Sequence, residues 1–361
     1  MGAVCTRSEA VETVVVPATE TKPVSRVVEK EVKEKVSKEE DNDYQDENYT
    51  VRLLLLGAAE SGKTTLLEQI RMLYNQEFSE MELFHRKAFI YANIVQSLKI
   101  ITRFMEKQDL IFSNSINKAN SGIIDRMENH YCPFNEEQYK AIQSIWSDKN
   151  VQEVYKRRGE YNLNDSAKYF FDNLPRINSV DFTPTPEDLI MTYVPTVGIQ
   201  NVIFTAKNQS FQLFDMGGQK IDRRKWVTMY DGIDAIFFCM AISEYDQMMI
   251  EDLNTNRLAD SLNLLEIVSS EKKFIKTPIF LFFNETDVFS EKLKLTPLSN
   301  FFEDYTGTTE KEALACVESK ARERCSQHQG NLYVYYTCAI NRKEMGKTLD
   351  TVFKKLLKEV R

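Results

Sequence analysis

The tightest constraint in this 361-residue chain is one short stretch, Gly57-Ala58-Ala59-Glu60-Ser61-Gly62-Lys63-Thr64. It matches G-x-x-x-x-G-K-[ST] in full, and its flanks supply the context that such a loop needs. Ahead of it, Val51-Arg52-Leu53-Leu54-Leu55-Leu56 is a continuous apolar run of the length expected for a strand buried on both faces. Behind it, Leu66, Leu67, Ile70 and Leu73 recur at helical spacing. A strand, a glycine loop and a helix in that order aim main-chain N–H groups and the positive end of the helix into one cavity, which suits phosphate groups. Lys63 can neutralise β- and γ-oxygens, and the Thr64 hydroxyl can ligate Mg²⁺. The loop from Gly57 to Thr64 is therefore expected to bind phosphate.

The rest of the chain reads as an α/β fold. Val202–Thr205 and Phe211–Phe214 form a hairpin pattern around the turn-prone Lys207-Asn208-Gln209-Ser210. Ala235–Ala241, Ile279–Phe283 and Leu332–Tyr336 are further strand candidates, with spacers long enough for helices. A mostly parallel sheet with one hairpin at its edge follows. Between the first strand and the hairpin, about Phe78 to Ile190, helical periodicity takes over. Phe84, Ala88, Val95, Leu98, Ile101 and Met105 mark one long amphipathic helix there. The expected layout is an N-terminal extension over 1–49, an α/β domain from 50–77 and 191–361, and an inserted all-helical domain over 78–190. Within the extension, Ala10 to Pro23 reads as disordered. Val24, Val28, Val32 and Val36 then form a narrow apolar stripe on a Glu/Lys-rich helix suited to docking on a partner.

Two more segments carry chemistry. Asp215-Met216-Gly217-Gly218-Gln219 follows the strand ending at Phe214. An Asp there can reach a metal through water, Gly218 lets the backbone approach a γ-phosphate, and Gln219 can orient an attacking water. Asn284-Glu285-Thr286-Asp287 follows Ile279–Phe283. The Asp287 carboxylate can accept both N1–H and N2–H of guanine, which selects that base over adenine. Asn284 and the Ala339 backbone N–H of Thr337-Cys338-Ala339 complete the expected base pocket. A net charge of −8 argues against a nucleic-acid partner. The six cysteines form no C-x-x-C pair and suit a reducing compartment, and with three scattered histidines they give no metal site.

These motifs, with Arg223-Arg224-Lys225-Trp226, Ala241-Ile242-Ser243-Glu244-Tyr245-Asp246, Asp165-Ser166-Ala167 and Phe171-Asp172-Asn173-Leu174, resemble the heterotrimeric G-protein α subunits. The resemblance covers nearly everything after about residue 50. It implies a P-loop, Ras-like GTPase domain with an inserted helical domain closing over GTP or GDP and Mg²⁺. It also implies a βγ dimer, a G-protein-coupled receptor and a downstream effector as partners. Thr196 falls on the family's Mg²⁺-ligand position, with Thr64 and Asp215. Met1-Gly2-Ala3-Val4-Cys5-Thr6 matches the N-myristoylation pattern, with Cys5 available for palmitate. A lipid-anchored protein on the cytoplasmic face of the plasma membrane is the expectation.

The departures from the family are specific. Its catalytic arginine falls on Tyr193, and Met191 replaces the neighbouring arginine. Such arginines, measured on this class of protein, contribute about 10³–10⁵ in rate, and tyrosine carries no fixed charge. No arginine within the Asp188–Ile199 segment takes its place. Ala59 stands where the family has glycine, and its methyl group is expected to crowd Gln219 and the γ-phosphate. Slow GTP hydrolysis follows. Glu285 replaces a lysine whose stem covers guanine. Lying near Asp165, it predicts domain opening by like-charge repulsion and faster GDP release. Leu349–Arg361 reads as a terminal helix that stops about six residues short of the family's usual end, so receptor coupling is expected to be altered. A catalytically impaired, nucleotide-loaded scaffold or βγ-binding module is the alternative. An unrelated P-loop ATPase or kinase is disfavoured by Asn284, Asp287 and Gly217-Gly218-Gln219.

Overall fold

A computed structural model describes residues 49–76, 78–127, 132–196 and 198–360. The N-terminal extension, including Gly2, Cys5, Ala10–Pro23 and the valine stripe, lies outside the described residues. In chain order the elements are β1 (Thr50–Gly57), α1 (Lys63–Leu73), α2 (Glu80–Lys107), α3 (Asn117–Asp125), α4 (Glu136–Trp146), α5 (Lys149–Lys156), α6 (Ala167–Asp172), α7 (Leu174–Ile177) and α8 (Pro186–Met191). There follow β2 (Ile199–Ala206), β3 (Gln209–Met216), α9 (Lys220–Arg223), β4 (Ala235–Ala241), α10 (Arg257–Ser270), β5 (Ile279–Asn284), α11 (Thr286–Leu293), α12 (Glu310–Arg324), β6 (Leu332–Tyr336) and α13 (Arg342–Glu359).

The six strands form one sheet in the order β2-β3-β1-β4-β5-β6, all parallel except the β2–β3 pair. The apolar runs of β1, β4 and β5 explain the arrangement, because a parallel strand needs cover on both faces. Alternate residues serve opposite layers. Leu53, Leu55, Phe237, Phe280 and Phe282 pack under α1 and α13, while Leu54, Leu56, Phe238, Leu281 and Phe283 pack under α10 and α12. The hairpin turn is tighter than the four residues expected. Only Lys207 and Asn208 form it, both with positive φ (51° and 61°), as a two-residue turn between right-twisted strands requires. Gln209 and Ser210 already belong to β3.

The helical region builds its own core around α2, whose Val95, Leu98, Ile101 and Met105 are buried against α3 to α7. Ser79 and Glu82 start α2 with a reciprocal capping box. One sequence expectation fails here. Phe84 is 69% exposed and lies off the buried face of α2. The last helix is also longer than expected. Asn341 caps it through the Glu344 N–H, so it begins at Arg342 rather than Leu349. A Ras-like sheet domain and a helical domain, each with its own core, are thus present in one chain.

Register decides where the site lies. Leu55 pairs with Asp215, Gly57 with Cys239, and Ala241 with Asn284, so the carboxyl ends of β1, β3, β4 and β5 come level. Loops leaving that edge are the usual place for ligands in such sheets. Phe237 sits at the centre of the sheet, fully buried, with its ring against Phe280, Phe282 and Phe353. Phe237→Ala should lower unfolding free energy by about 3–5 kcal/mol in denaturant titrations. Phe84→Ala should change it by less than about 0.5 kcal/mol.

Candidate nucleotide-binding site

A cavity of about 490 Å³ opens along the carboxyl edge of the sheet, between it and the helical region. That size falls within the roughly 300–1,000 Å³ typical of small-molecule sites. Its lining includes Ala59 to Thr64, Tyr193, Thr196, Gly218, Gln219, Asn284, Asp287 and Ala339. Segments separated widely in sequence are therefore brought to one place.

The loop after β1 has the expected form. Gly62 caps α1 with φ of 86°, and a Cβ there would lie 2.1 Å from the Asn284 side-chain nitrogen. Only glycine allows that approach. Gly218 is equally constrained, since a Cβ on it would meet the Ala58 carbonyl and Lys63 Nζ at 2.5 Å. Lys63 is buried and donates to the Ala58 carbonyl at 2.5 Å. Burial pulls its ammonium pKa down, against the pull of Asp215. Gly57, at the end of β1, packs so closely on the Cys239 carbonyl that a side chain would collide with it.

Three oxygens converge beside this loop. Thr64 Oγ1 lies 2.8 Å from Thr196 Oγ1 and donates to Asp215 Oδ2 at 3.1 Å, while Thr196 Oγ1 reaches the same oxygen at 3.3 Å. Asp215 is buried, and burial pushes its carboxyl above the ordinary range despite Lys63 nearby. Its Oδ1 has no hydrogen-bond partner among the described residues. Two hydroxyls and a carboxylate form a hard donor set of the kind Mg²⁺ prefers. The residues present fit that ion.

The base end is organised by Asn284. Its Oδ1 accepts from the Ala339 N–H at 2.9 Å, and its Nδ2 donates to the Ser61 carbonyl at 3.4 Å. Gln69 holds the same segment through the Ala339 carbonyl at 2.7 Å. Asp287 lines the cavity from the first turn of α11. The Cys338 thiol is hydrogen-bonded to it, and burial with that carboxylate pushes the thiol up to about 12.

The segment after β3 is fixed by long-range contacts. Trp226 is buried and donates Nε1–H to the Gly217 carbonyl at 2.9 Å. Arg223 donates to the Gly218 carbonyl at 2.9 Å and forks onto both Asp260 oxygens. Gln219 lies exposed on the cavity rim. Tyr193, at the other side, is held by Asn93 of α2, which bonds both its N–H and its carbonyl. Burial, together with the neighbouring Glu60 carboxylate, pushes its hydroxyl up to about 12.

A match to the G-protein alpha subunit family model runs over residues 22–356. The chain belongs to the G-protein α subunit family. It is 55% identical over 319 residues to the guanine nucleotide-binding protein alpha-13 subunit of Caenorhabditis briggsae, covering 88% of this chain and 91% of that one. Identity to the alpha-13 subunit of Caenorhabditis elegans is 54%, over 85% of this chain and 89% of the relative. The G(o) alpha subunit of Locusta migratoria is 39% identical over 84% and 86% of the two chains. Members of this family are nucleotide-binding signal transducers and GTPases.

Several groups around the site of this α subunit were not legible in the sequence. Arg158 is buried and bridges Asp165 and Glu291, each at 2.9 Å, linking the helical region to α11. Glu68 on α1 is ion-paired with Arg86 on α2. Arg257, at the start of α10, contacts the Ala59 carbonyl, Glu60 and Glu244. Nothing in local spacing announces these partners.

Glu285 is also placed differently from a simple repulsion with Asp165. It is held in the left-handed region, at φ of 64°, and its carboxylate accepts from Ser243 Oγ. Its pKa is pushed well up, by burial first, then by Glu244 and Asp165. Asp165 itself has Arg158 as counter-charge, so Asp165 is the smaller contributor. Glu244 is raised to about 7 by burial, which outweighs Arg257. An acid with a higher pKa in the folded chain keeps its proton longer there, so stability falls as pH rises from the ordinary carboxylate range towards the raised value. Glu285→Gln, which keeps the carbonyl acceptor, should gain melting temperature relative to wild type as pH rises from about 5 to about 8. Parallel curves across that range would contradict the assignment.

Proposed function

We propose that the chain is a membrane-anchored signal transducer that binds GTP and GDP with Mg²⁺ and hydrolyses GTP slowly. The observation that carries the slow rate is Tyr193 itself, its hydroxyl beside the Glu60 carboxylate, with no fixed positive charge on the segment where the family supplies one. Ala59 adds a methyl group to the same wall of the cavity. In this reading the main-chain N–H groups of Gly57 to Thr64 and Gly218 bind phosphates. Thr64, Thr196 and, through water, Asp215 would hold Mg²⁺, which supplies charge neutralisation to the phosphates. Gln219 orients the attacking water, and Asn284, Asp287 and Ala339 select guanine.

The partners follow from the family: a βγ dimer, a receptor and an effector. Anchoring would use myristate on Gly2 and palmitate on Cys5, since one acyl chain binds membranes only reversibly and two hold. That places the protein on the cytoplasmic face of the plasma membrane. The charge missing at Tyr193 also favours a second reading, a nucleotide-loaded scaffold or βγ-binding module without useful turnover. One assay separates them.

Purified full-length chain should take up GTP saturably, and chelating Mg²⁺ should weaken that uptake. Single-turnover hydrolysis should run well below that of a relative with arginine at the Tyr193 position. Tyr193→Arg should accelerate it by at least about tenfold, a small part of the general value of such arginines. Turnover at an ordinary family rate would refute the slow-switch reading, and no turnover in either variant would favour the scaffold. A fluorescent GDP analogue should also leave faster than from a relative with lysine in place of Glu285.

A further inference from the structure

The switch segment lacks a cation, and the fold brings one to the same wall from the opposite side. Ala59, Glu60, Tyr193 and Gln219 line both the nucleotide cavity and a second cavity of about 210 Å³. Arg257 lines only the second, with Arg223, Glu244 and Asp260. It therefore stands behind the phosphate loop, not in the nucleotide cavity.

Its position is unfavourable unless something compensates. Arg257 is the first residue of α10, where the positive end of the helix disfavours a cation, and its side chain is only 8% exposed. The compensation is a set of acceptors converging on one nitrogen. Nη2 donates to Glu60 Oε2 at 2.9 Å and to the Ala59 carbonyl at 3.3 Å, and it pairs with Glu244 Oε1 at 2.5 Å. Glu60 in turn lies beside the Tyr193 hydroxyl and is held with φ of 61° in the left-handed region. A half-buried carboxylate in the phosphate loop, left bare, would repel a triphosphate. Arg257 is the guanidinium that meets this carboxylate.

We propose that Arg257 is a positioning residue for GTP hydrolysis: from behind the loop it neutralises Glu60 and fixes the Ala59 carbonyl, so that Tyr193 and Gln219 face the terminal phosphate without an uncompensated carboxylate between them. The proposal rests on reading the main cavity as a GTP-hydrolysing site. Its effect runs through the charge of Glu60, and that makes it separable from a packing role. GTP carries more charge than GDP at the loop, so losing Arg257 should penalise GTP more.

The test is single-turnover hydrolysis with full-length protein, alongside equilibrium binding of GTP and GDP analogues. Arg257→Gln should slow hydrolysis by about tenfold or more, the scale of a lost charged hydrogen bond, and should weaken GTP relative to GDP. Adding Glu60→Gln to Arg257→Gln should restore most of the rate, because the unpaired charge in the phosphate loop is gone. A rate for Arg257→Gln within about twofold of wild type overturns the proposal, as does a double variant as slow as Arg257→Gln. Should Arg257→Gln fail to show cooperative thermal unfolding, Arg257→Lys decides. Lysine keeps the charge but ends one bond short of Nη2, so it cannot reach Glu60, Glu244 and the Ala59 carbonyl together, and hydrolysis should drop by about threefold or more with GDP binding intact. A wild-type rate in that variant overturns the proposal. Wild-type chain that binds GTP without turnover would instead overturn the hydrolysis reading itself, and Arg257's role with it.

Discussion

The side-chain amide of Asn284 joins the three loops on which the site depends. One end accepts from Ala339 in the loop after β6, and the other donates to Ser61 in the loop after β1. Gly62 must lack a side chain for that contact to exist. The geometry follows from sheet register, because Asn284 ends β5 level with Ala241 at the carboxyl edge. The loops after β1 and β6 are thereby held at a fixed separation by buried polar contacts. The two apolar layers over the sheet make that edge rigid enough for a single amide to matter.

Around this frame lies a concentration of carboxylates, of which Glu244 is buried and Glu60 and Glu285 partly so. Glu60, Glu244 and Glu285 come from three separate segments, and Lys292 and Arg257 are the nearby counter-charges. Lys292 is already engaged with Asp246 at 2.7 Å and the Ser243 carbonyl at 3.0 Å. Two cations are shared among several carboxylates, and desolvation with like charge nearby raises the Glu244 and Glu285 carboxyls. The Glu285 and Glu244 shifts share this origin. A lysine at position 285 would meet Lys292 and Arg257 in the same region, so the identity of residue 285 and the charges around it belong together.

Much of this was legible in the sequence, for a physical reason that also sets the limit. Gly57–Thr64, Asp215–Gln219 and Asn284–Asp287 are contiguous, and each follows an apolar run that marks a strand, so local pattern placed them at the same sheet edge. The hairpin was visible from its turn residues, although positive φ at Lys207 and Asn208 closed it two residues sooner. Phe84 misled because periodicity identifies a helix face but not which of its positions are covered. Arg257 lies 197 residues from Glu60, and Arg158 lies 133 from Glu291. Pairs at such separation leave no local signature, and each member alone reads as an ordinary surface charge.

The consequence for a switch lies in where its charge is carried. An arginine on the segment before Thr196 would share that segment's fate, reaching the phosphate only when the loop does. Arg257 is anchored instead at the first turn of α10, against Gln247, Glu244 and the phosphate loop. Its charge meets Glu60, and it does not line the main cavity. Such a device can hold the loop in shape but cannot follow charge as it develops during bond breaking, which is what accelerates the chemical step. On the proposed reading, a chain with Tyr193 in front and Arg257 behind would keep a triphosphate site in order more than discharge it quickly.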